Sequence, residues 1–398
     1  MSFLLGVVIF VLALLVSVML HEAGHFLTAK KFHMKVTQFF VGFGQTIWSR
    51  VRGETEYGVK ALPLGGFVKI TGMTTLDEVD PADEPRSFRR QPGWQRIIVL
   101  AAGSFMHFAL AFVLLIVLAV GIGLANNDTT TIGRVDTCLP ASATALNTAS
   151  CAGSRGISPA RKAGLQGGDK IISAAGTPVH SWIQLGSVIR KQPAGRPMTV
   201  VVVRSGRRRS ITVTPARVPQ RKGSYLGIEN SVVFQRRGPV SAASFAGTAF
   251  GEVVTGSVAA AEKLPSALPD LFAKNRSHTP AGNVTSVVGA ADIAGQAVQS
   301  SVGWRYTVSS LLLIVISLNI FVGLFNLLPL LPLDGGHLAI VIYERARAWL
   351  ARLLGRPDPG QVDMRKLIPV SVGVFAVLVG LGLLLIAADI FNPIHLTQ

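Results

Sequence analysis

Four long apolar runs constrain this chain more than anything else in it. A bilayer's hydrocarbon layer is roughly 30 Å thick, and a helix needs about 20 apolar residues to cross it. The runs lie at residues 2–20, 97–124, 308–331 and 367–390. Residues 253–261 are too few to span, and 244–261 are only mildly apolar. Only 15% of residues are charged, against about 25% in an ordinary soluble domain. The first run has no basic lead-in and no small-residue cleavage site after it, so it reads as a membrane span rather than a signal peptide. The expected fold is a polytopic α-helical membrane protein with four transmembrane helices.

Charge beside the runs predicts orientation. Residues 30–96 hold eleven Lys and Arg, and residues 340–366 hold six. Both stretches are expected on the cytoplasmic side by the positive-inside rule, which places both termini and the long segment between spans two and three outside. That segment has 21 basic residues, but long translocated stretches escape the rule. The net charge of +17 comes with no motif of nucleic-acid readout, and attraction to anionic lipid headgroups accounts for it more simply.

Between the spans the texture changes. Residues 46–52 alternate, and 54–72 read as strand, turn, strand, with an apolar hairpin around Gly65-Gly66. Either the hairpin dips into the membrane edge or it is an ordinary soluble one. Residues 126–218 read as a compact β-rich module, with strands at 198–203 and 210–213 around a basic turn at Arg207-Arg208-Arg209. Residues 219–303 read as a connector with amphipathic pieces. Cys138 and Cys151, expected outside the cytoplasm, are either a loop-closing disulfide or two thiols.

The chemistry sits where the first run ends. His21-Glu22-Ala23-Gly24-His25 is an HExxH pattern. At i and i+4 two imidazoles share one helix face and can chelate one Zn²⁺, with Glu22 placed as general base. Ionisable groups at membrane depth are costly and functional by default. A catalytic zinc takes three protein ligands and keeps a fourth position open. Asp334, in Leu333-Asp334-Gly335-Gly336-His337, is brought to the same membrane side as His21 by the inferred topology, and His337 is its rival. Pro329 and Pro332 break regular helix near this point. Asn326 is a donor either to the oxyanion or to a neighbouring helix. His107, after Gly103-Ser104-Phe105-Met106, either faces the same cavity or is a buried structural histidine. Asp389 is expected near the opposite membrane face, exposed to solvent.

HExxH in the first span with Leu333-Asp334-Gly335-Gly336 after the third resembles the site-2 protease family of intramembrane zinc metalloproteases. The likeness covers almost the whole chain and is nearest to the bacterial, actinobacterial-type branch with one extracytoplasmic PDZ domain. Leu64-Gly65-Gly66-Phe67-Val68-Lys69 looks like that family's membrane-associated hairpin. Gly103 to His107 resembles its central-span motif, from which Ser104 and His107 depart. Residues 163–172 are similar to its PDZ module.

The resemblance implies His21, His25 and Asp334 as zinc ligands and Glu22 as catalytic base. It implies single-pass membrane substrates such as anti-sigma factors, trimmed first outside by another protease, in regulated intramembrane proteolysis at a bacterial plasma membrane. The expected order is span one with HExxH at 1–29, the hairpin region at 30–95, span two at 96–125, the PDZ-like domain at 126–218, the connector at 219–303, span three with Asp334 at 304–338, a basic cytoplasmic loop at 339–366 and span four at 367–392. A non-catalytic adaptor would not need Glu22, and a metal transporter would need several buried polar sites along the spans.

Overall fold

In the computed structural model the first apolar run is one helix, α1 (Phe3–Lys31). At 29 residues and ~1.5 Å per residue it is about 43 Å long, so its last turns outrun the hydrocarbon layer. Lys30 and Lys31 close it, where cations complement the helix dipole. The structure describes residues 3–74, 76–126, 128–140, 156–219, 223–273, 276, 279, 284–299 and 303–394. It has two units: Met1–Gly121 with Gly238–Thr397, and Ile122–Arg237.

The hairpin region is larger than the sequence suggests. One long pair, β1 (Val36–Arg52) and β2 (Thr55–Ile70), turns at Gly53, and the Gly65-Gly66 pair lies inside β2 rather than at a turn of its own. Both strands fold back on themselves. Phe39 pairs with both Tyr57 and Val68, Phe40 with Gly58 and Phe67, and Val41 with Val59 and Gly66. Residues 38–41 are therefore flanked on both sides, and 66–70 becomes an edge. The bend sits at Gly42, φ 85, where a Cβ would stand 2.7 Å from the Leu62 carbonyl oxygen; only glycine fits such a backbone approach. Glu54, beside the turn, is tied to Lys30 of α1 at 2.6 Å and takes Arg86 in a fork at 2.8 Å. Helix α2 (Gly93–Val117) follows.

The second unit is β-rich and extends past residue 218. Its elements are β3 (Leu124–Asn126), β4 (Ile132–Val135), α3 (Pro159–Lys162), β5 (Lys170–Ala174), β6 (Thr177–Pro178), α4 (Trp182–Lys191), β7 (Met198–Arg204), β8 (Arg207–Val213), β9 (Ala216–Arg217), β10 (Ser224–Tyr225), β11 (Ile228–Asn230) and β12 (Val233–Gln235). An antiparallel sheet of order β6-β5-β7-β8 is joined by the pairs β9–β10, β4–β11 and β3–β12. The core is Ile171, Val200, Val202, Leu185 and their neighbours, the inward positions of alternating strands and one helix face. Arg207-Arg208-Arg209 stand on β8 rather than in the turn. Cys138 is disulfide-bonded; Cys151, the other cysteine of the sequence, lies outside the described residues.

One ion pair ties this unit together. Asp169, its side chain 1% exposed, accepts from Arg204 Nε at 2.6 Å and Nη2 at 2.7 Å, and from the Gln166 N–H at 2.9 Å. Burial pushes the carboxyl up, but the guanidinium and the amide more than offset that and hold it below 3.8. A lowered carboxyl contributes stability above its unfolded pKa and loses it as pH falls through the folded one. Arg204→Met is therefore expected to lower stability by roughly 2–3 kcal/mol at pH 7. The gap to the parent should close as pH drops below about 4, and melting both proteins across pH 3–7 checks this.

The remaining elements return to the first unit. They are α5 (Pro239–Ala267), α6 (Val287–Gln299), α7 (Trp304–Asn326), α8 (Asp334–Leu353) and α9 (Ile368–Phe391). Among the described residues four segments are long and apolar enough to cross a membrane: Phe3–Lys31, Gly93–Ile122, Trp304–Asn326 and Met364–Phe391. Among its described residues the stretch read as a connector thus holds two α-helices, one of 29 residues. Its Ala, Gly and Ser content hides the helix from an apolar scan.

Two further expectations change. The third span stops at Asn326 rather than 338. Pro329 and Pro332 supply no N–H and cannot continue it, and Asp334 begins a new helix. Asp389 does not face solvent. It is 5% exposed, accepting from Arg276 Nη2 at 2.8 Å, Thr285 Oγ1 at 3.1 Å and the Ser286 N–H at 2.6 Å. Arg276 also donates to the Asn392 and Val284 carbonyls. Both charges of this pair are satisfied, as burial requires.

Candidate metal centre

His21 and His25 stand one turn apart on α1, and both are buried. Asp334 enters from the first turn of α8. Among the described residues these three form the one group of His, Cys, Asp and Glu side chains whose ligand atoms converge. The two Nε2 atoms are 3.1 Å apart, and Asp334 Oδ2 lies 3.1 Å from His21 Nε2 and 3.2 Å from His25 Nε2.

That triangle fits zinc. A tetrahedral site with bonds of ~2.0–2.1 Å sets its ligand atoms about 3.3 Å apart, close to all three edges found here. His25 Nδ1 lies 2.7 Å from the Val99 carbonyl oxygen. It must donate there, so in the neutral imidazole Nε2 is the lone pair aimed into the triangle. Asp334 Oδ2 is buried with no hydrogen bond, although two histidine nitrogens are near it. A carboxylate oxygen and two imidazole nitrogens converging at these distances is the donor set of a cation site, and it leaves one tetrahedral vertex to solvent or substrate.

Close helix contact makes the triangle possible. Gly24 of α1 meets α2, where a Cβ would stand 2.6 Å from the Ala102 carbonyl oxygen. Gly103 of α2 faces back, and a Cβ there would stand 2.4 Å from His25 Nε2 and 2.5 Å from His21 Cε1. Small residues let helix backbones approach, and here they also leave room for two imidazoles. Sequence reading missed Gly103 as a site residue. The cue available was its place four residues before His107 in an apolar span.

Beneath the triangle runs a polar chain. Asn319 of α7 donates to Ser17 Oγ at 3.0 Å and to the Val315 carbonyl at 2.8 Å, so its Oδ1 accepts from His107 Nδ1 at 2.8 Å. Ser17 donates on to the Ala13 carbonyl. The His107 ring centroid is 5.0 Å from that of His21. His107 is thus buried against the site without belonging to the convergent group, and α1, α2 and α7 are stitched together by groups satisfied inside the bundle. Asn319, one of two asparagines in its span, has a structural part that sequence alone did not separate from that of Asn326.

Glu22 lies beside the triangle against the edge of β2. A Cβ on Gly66 would stand 3.5 Å from Glu22 Cγ and 2.6 Å from Met19 Sδ. Asn326 closes α7 half-buried. His337 is absent from the convergent group. It lines a small cavity of about 30 Å³ with Arg96, Glu344 and Met364, where burial holds its imidazole below the ordinary value.

Comparison with known proteins gives the same picture. Residues 9–352 match the sequence profile of peptidase family M50. The chain is 36% identical over 419 residues to the zinc metalloprotease Rip1 of Mycobacterium tuberculosis, covering 100% of both chains. It is 37% identical over 421 residues to Rip1 of Mycobacterium bovis, again covering 100% of both. A putative zinc metalloprotease of Fusobacterium nucleatum is 30% identical over 344 residues, 86% of this chain and 88% of that one.

Proposed function

Because the chain belongs to peptidase family M50, the site-2 protease family of zinc metalloproteases, we propose that it cuts single-pass membrane proteins of the anti-sigma-factor type, in or near the membrane, after another protease has trimmed their outer part. The observation that carries this reading is the 3.1–3.2 Å triangle of His21, His25 and Asp334, built on a helix long and apolar enough to span a membrane. His21, His25 and Asp334 hold the metal in this reading. Zinc, when bound, supplies Lewis-acid activation of water and of the scissile carbonyl.

The chain's own groups do the rest. Glu22 takes the proton of the attacking water at its carboxylate and delivers it to the leaving amine. Asn326 donates to the oxygen that becomes negative. A helical substrate hides its carbonyls in hydrogen bonds, so it must unwind. The 66–70 edge of β2 offers an unwound strand backbone partners beside Glu22. The charge pattern favours a plasma-membrane protein with the site near the cytoplasmic face and the β-rich unit outside. We read that unit as PDZ-like. The groove of about 260 Å³ between α4 and β10–β11, lined by Leu185, Ile189, Tyr225 and Leu226, suits an extended peptide end.

The test is cleavage of a single-pass substrate by the purified chain in nanodiscs, with the outer domain intact or trimmed. Product masses should place the cut in the apolar segment, and trimming should speed it; cuts confined to the soluble part sink the reading. Asp334→Asn is expected to weaken zinc retention against a chelator while His337→Ala leaves it alone. Retention unchanged by Asp334→Asn removes that residue from the ligand set.

A further inference from the structure

Helix α8 begins at Asp334, but its far half has nothing to do with the metal. Val341 is buried and Glu344 pairs with Arg96 at 3.0 Å, so one face is packed. From residue 342 onward the opposite face carries large apolar side chains in the open: Tyr343 57%, Trp349 60%, Leu350 51% and Leu353 62% exposed. At 100° per residue these fall on one stripe together with Ile342 and Leu354, which are also exposed. Arg345 and Arg352 lie along one margin of that stripe and Arg347 along the other.

An apolar stripe bordered by arginines is the pattern of a helix lying in a membrane interface. The position agrees. α8 joins two segments long and apolar enough to span, Trp304–Asn326 and Met364–Phe391, and so must run near a membrane boundary. The charge agrees as well. Residues 340–366 carry six Lys and Arg against three carboxylates, Glu344, Asp358 and Asp363, and Glu344 is paired with Arg96. Arg345 packs on Gly93, and Arg347 donates to the Pro359 and Gly360 carbonyls. Arg352, whose Nε reaches only the Ala348 carbonyl of its own helix, and Arg356 are exposed.

We propose that the exposed half of α8 is a binding surface for anionic phospholipid headgroups, with Trp349, Leu350 and Leu353 in the acyl boundary and Arg352 and Arg356 on the phosphates. This does not rest on the assignment of the catalytic residues. A basic side chain near a charged membrane surface contributes about 1 kcal/mol, a factor of about five, so removing two predicts a loss of roughly 30-fold in preference.

The experiment uses the full chain in phosphatidylcholine nanodiscs holding graded amounts of brominated phosphatidylglycerol or brominated phosphatidylcholine. The Trp349 signal is the difference between the parent and Trp349→Phe. Quenching is expected at a far lower mole fraction of the anionic lipid than of the neutral one. In Arg352→Gln/Arg356→Gln that preference should vanish while quenching by either lipid persists. Equal quenching by both lipids in the parent, or a preference untouched by the double substitution, overturns the proposal. So does a Trp349 that no lipid quenches, since a second copy or another protein then covers the stripe.

Discussion

Glu22→Gln is expected to leave zinc content unchanged and to slow cleavage of a membrane-embedded substrate by about 10²–10⁴-fold, the usual contribution of a positioned general acid–base. The two halves of that result have separate causes. The convergent group contains His21, His25 and Asp334 but not Glu22, so a neutral amide at position 22 removes no ligand. The glutamine is isosteric, so the β2 edge against which residue 22 lies keeps its place. What it lacks is a basic oxygen to take a proton. Zinc measured in the purified variant, with cleavage measured in the same preparation, decides the matter. Retained cleavage removes Glu22 as the base; lost zinc shows instead that its charge holds the site together.

How much of this was legible in the sequence follows from the range of each signal. His21, Glu22 and His25 lie within one helical turn, so their spacing alone puts two imidazoles on one face. Asp334 is 309 residues beyond His25, and only span counting with charge bias brought it to the same side. The structure pairs the three at 3.1–3.2 Å. Apolar runs were legible because length against bilayer thickness is a one-dimensional test.

What escaped depends on partners distant in sequence. Asp389 looked like a solvent-facing charge because Arg276, its partner, sits in a stretch of weak pattern. The fold-back of β1 on β2 gives Phe39, Phe40 and Val41 two partners each, and alternation reports a face but not how many neighbours a strand has. Helix α5 is Ala- and Gly-rich, and neither period nor apolarity marks it. Pro329 and Pro332 were read correctly as helix breakers, yet the span was still drawn through them to 338. In the structure α7 ends before both, and this frees Asp334 to stand at the start of a helix of its own.

Gly103→Ala is expected to remove zinc outright, although alanine is the better helix former by about 1 kcal/mol. Its Cβ would stand 2.4 Å from His25 Nε2, 2.5 Å from His21 Cε1 and 2.7 Å from His21 Nδ1. Non-bonded atoms do not approach so closely, so α2 must move or the imidazoles must. His25 cannot turn without losing the Val99 carbonyl at 2.7 Å, and that carbonyl belongs to the same helix as the added methyl. Helix α2 cannot simply back away, because Gly24 packs on the Ala102 carbonyl and His107 is tied to Asn319. The ligand triangle should therefore open by several tenths of an ångström, on a site whose ligand distances hold within ~0.2 Å. Gly121→Ala, where nothing lies within 4 Å of the added Cβ, is the matched control. Both variants should keep their helical content, and only Gly103→Ala should lose zinc and, with it, cleavage. Normal zinc in Gly103→Ala would mean that α1 and α2 stand farther apart at the site than this packing requires.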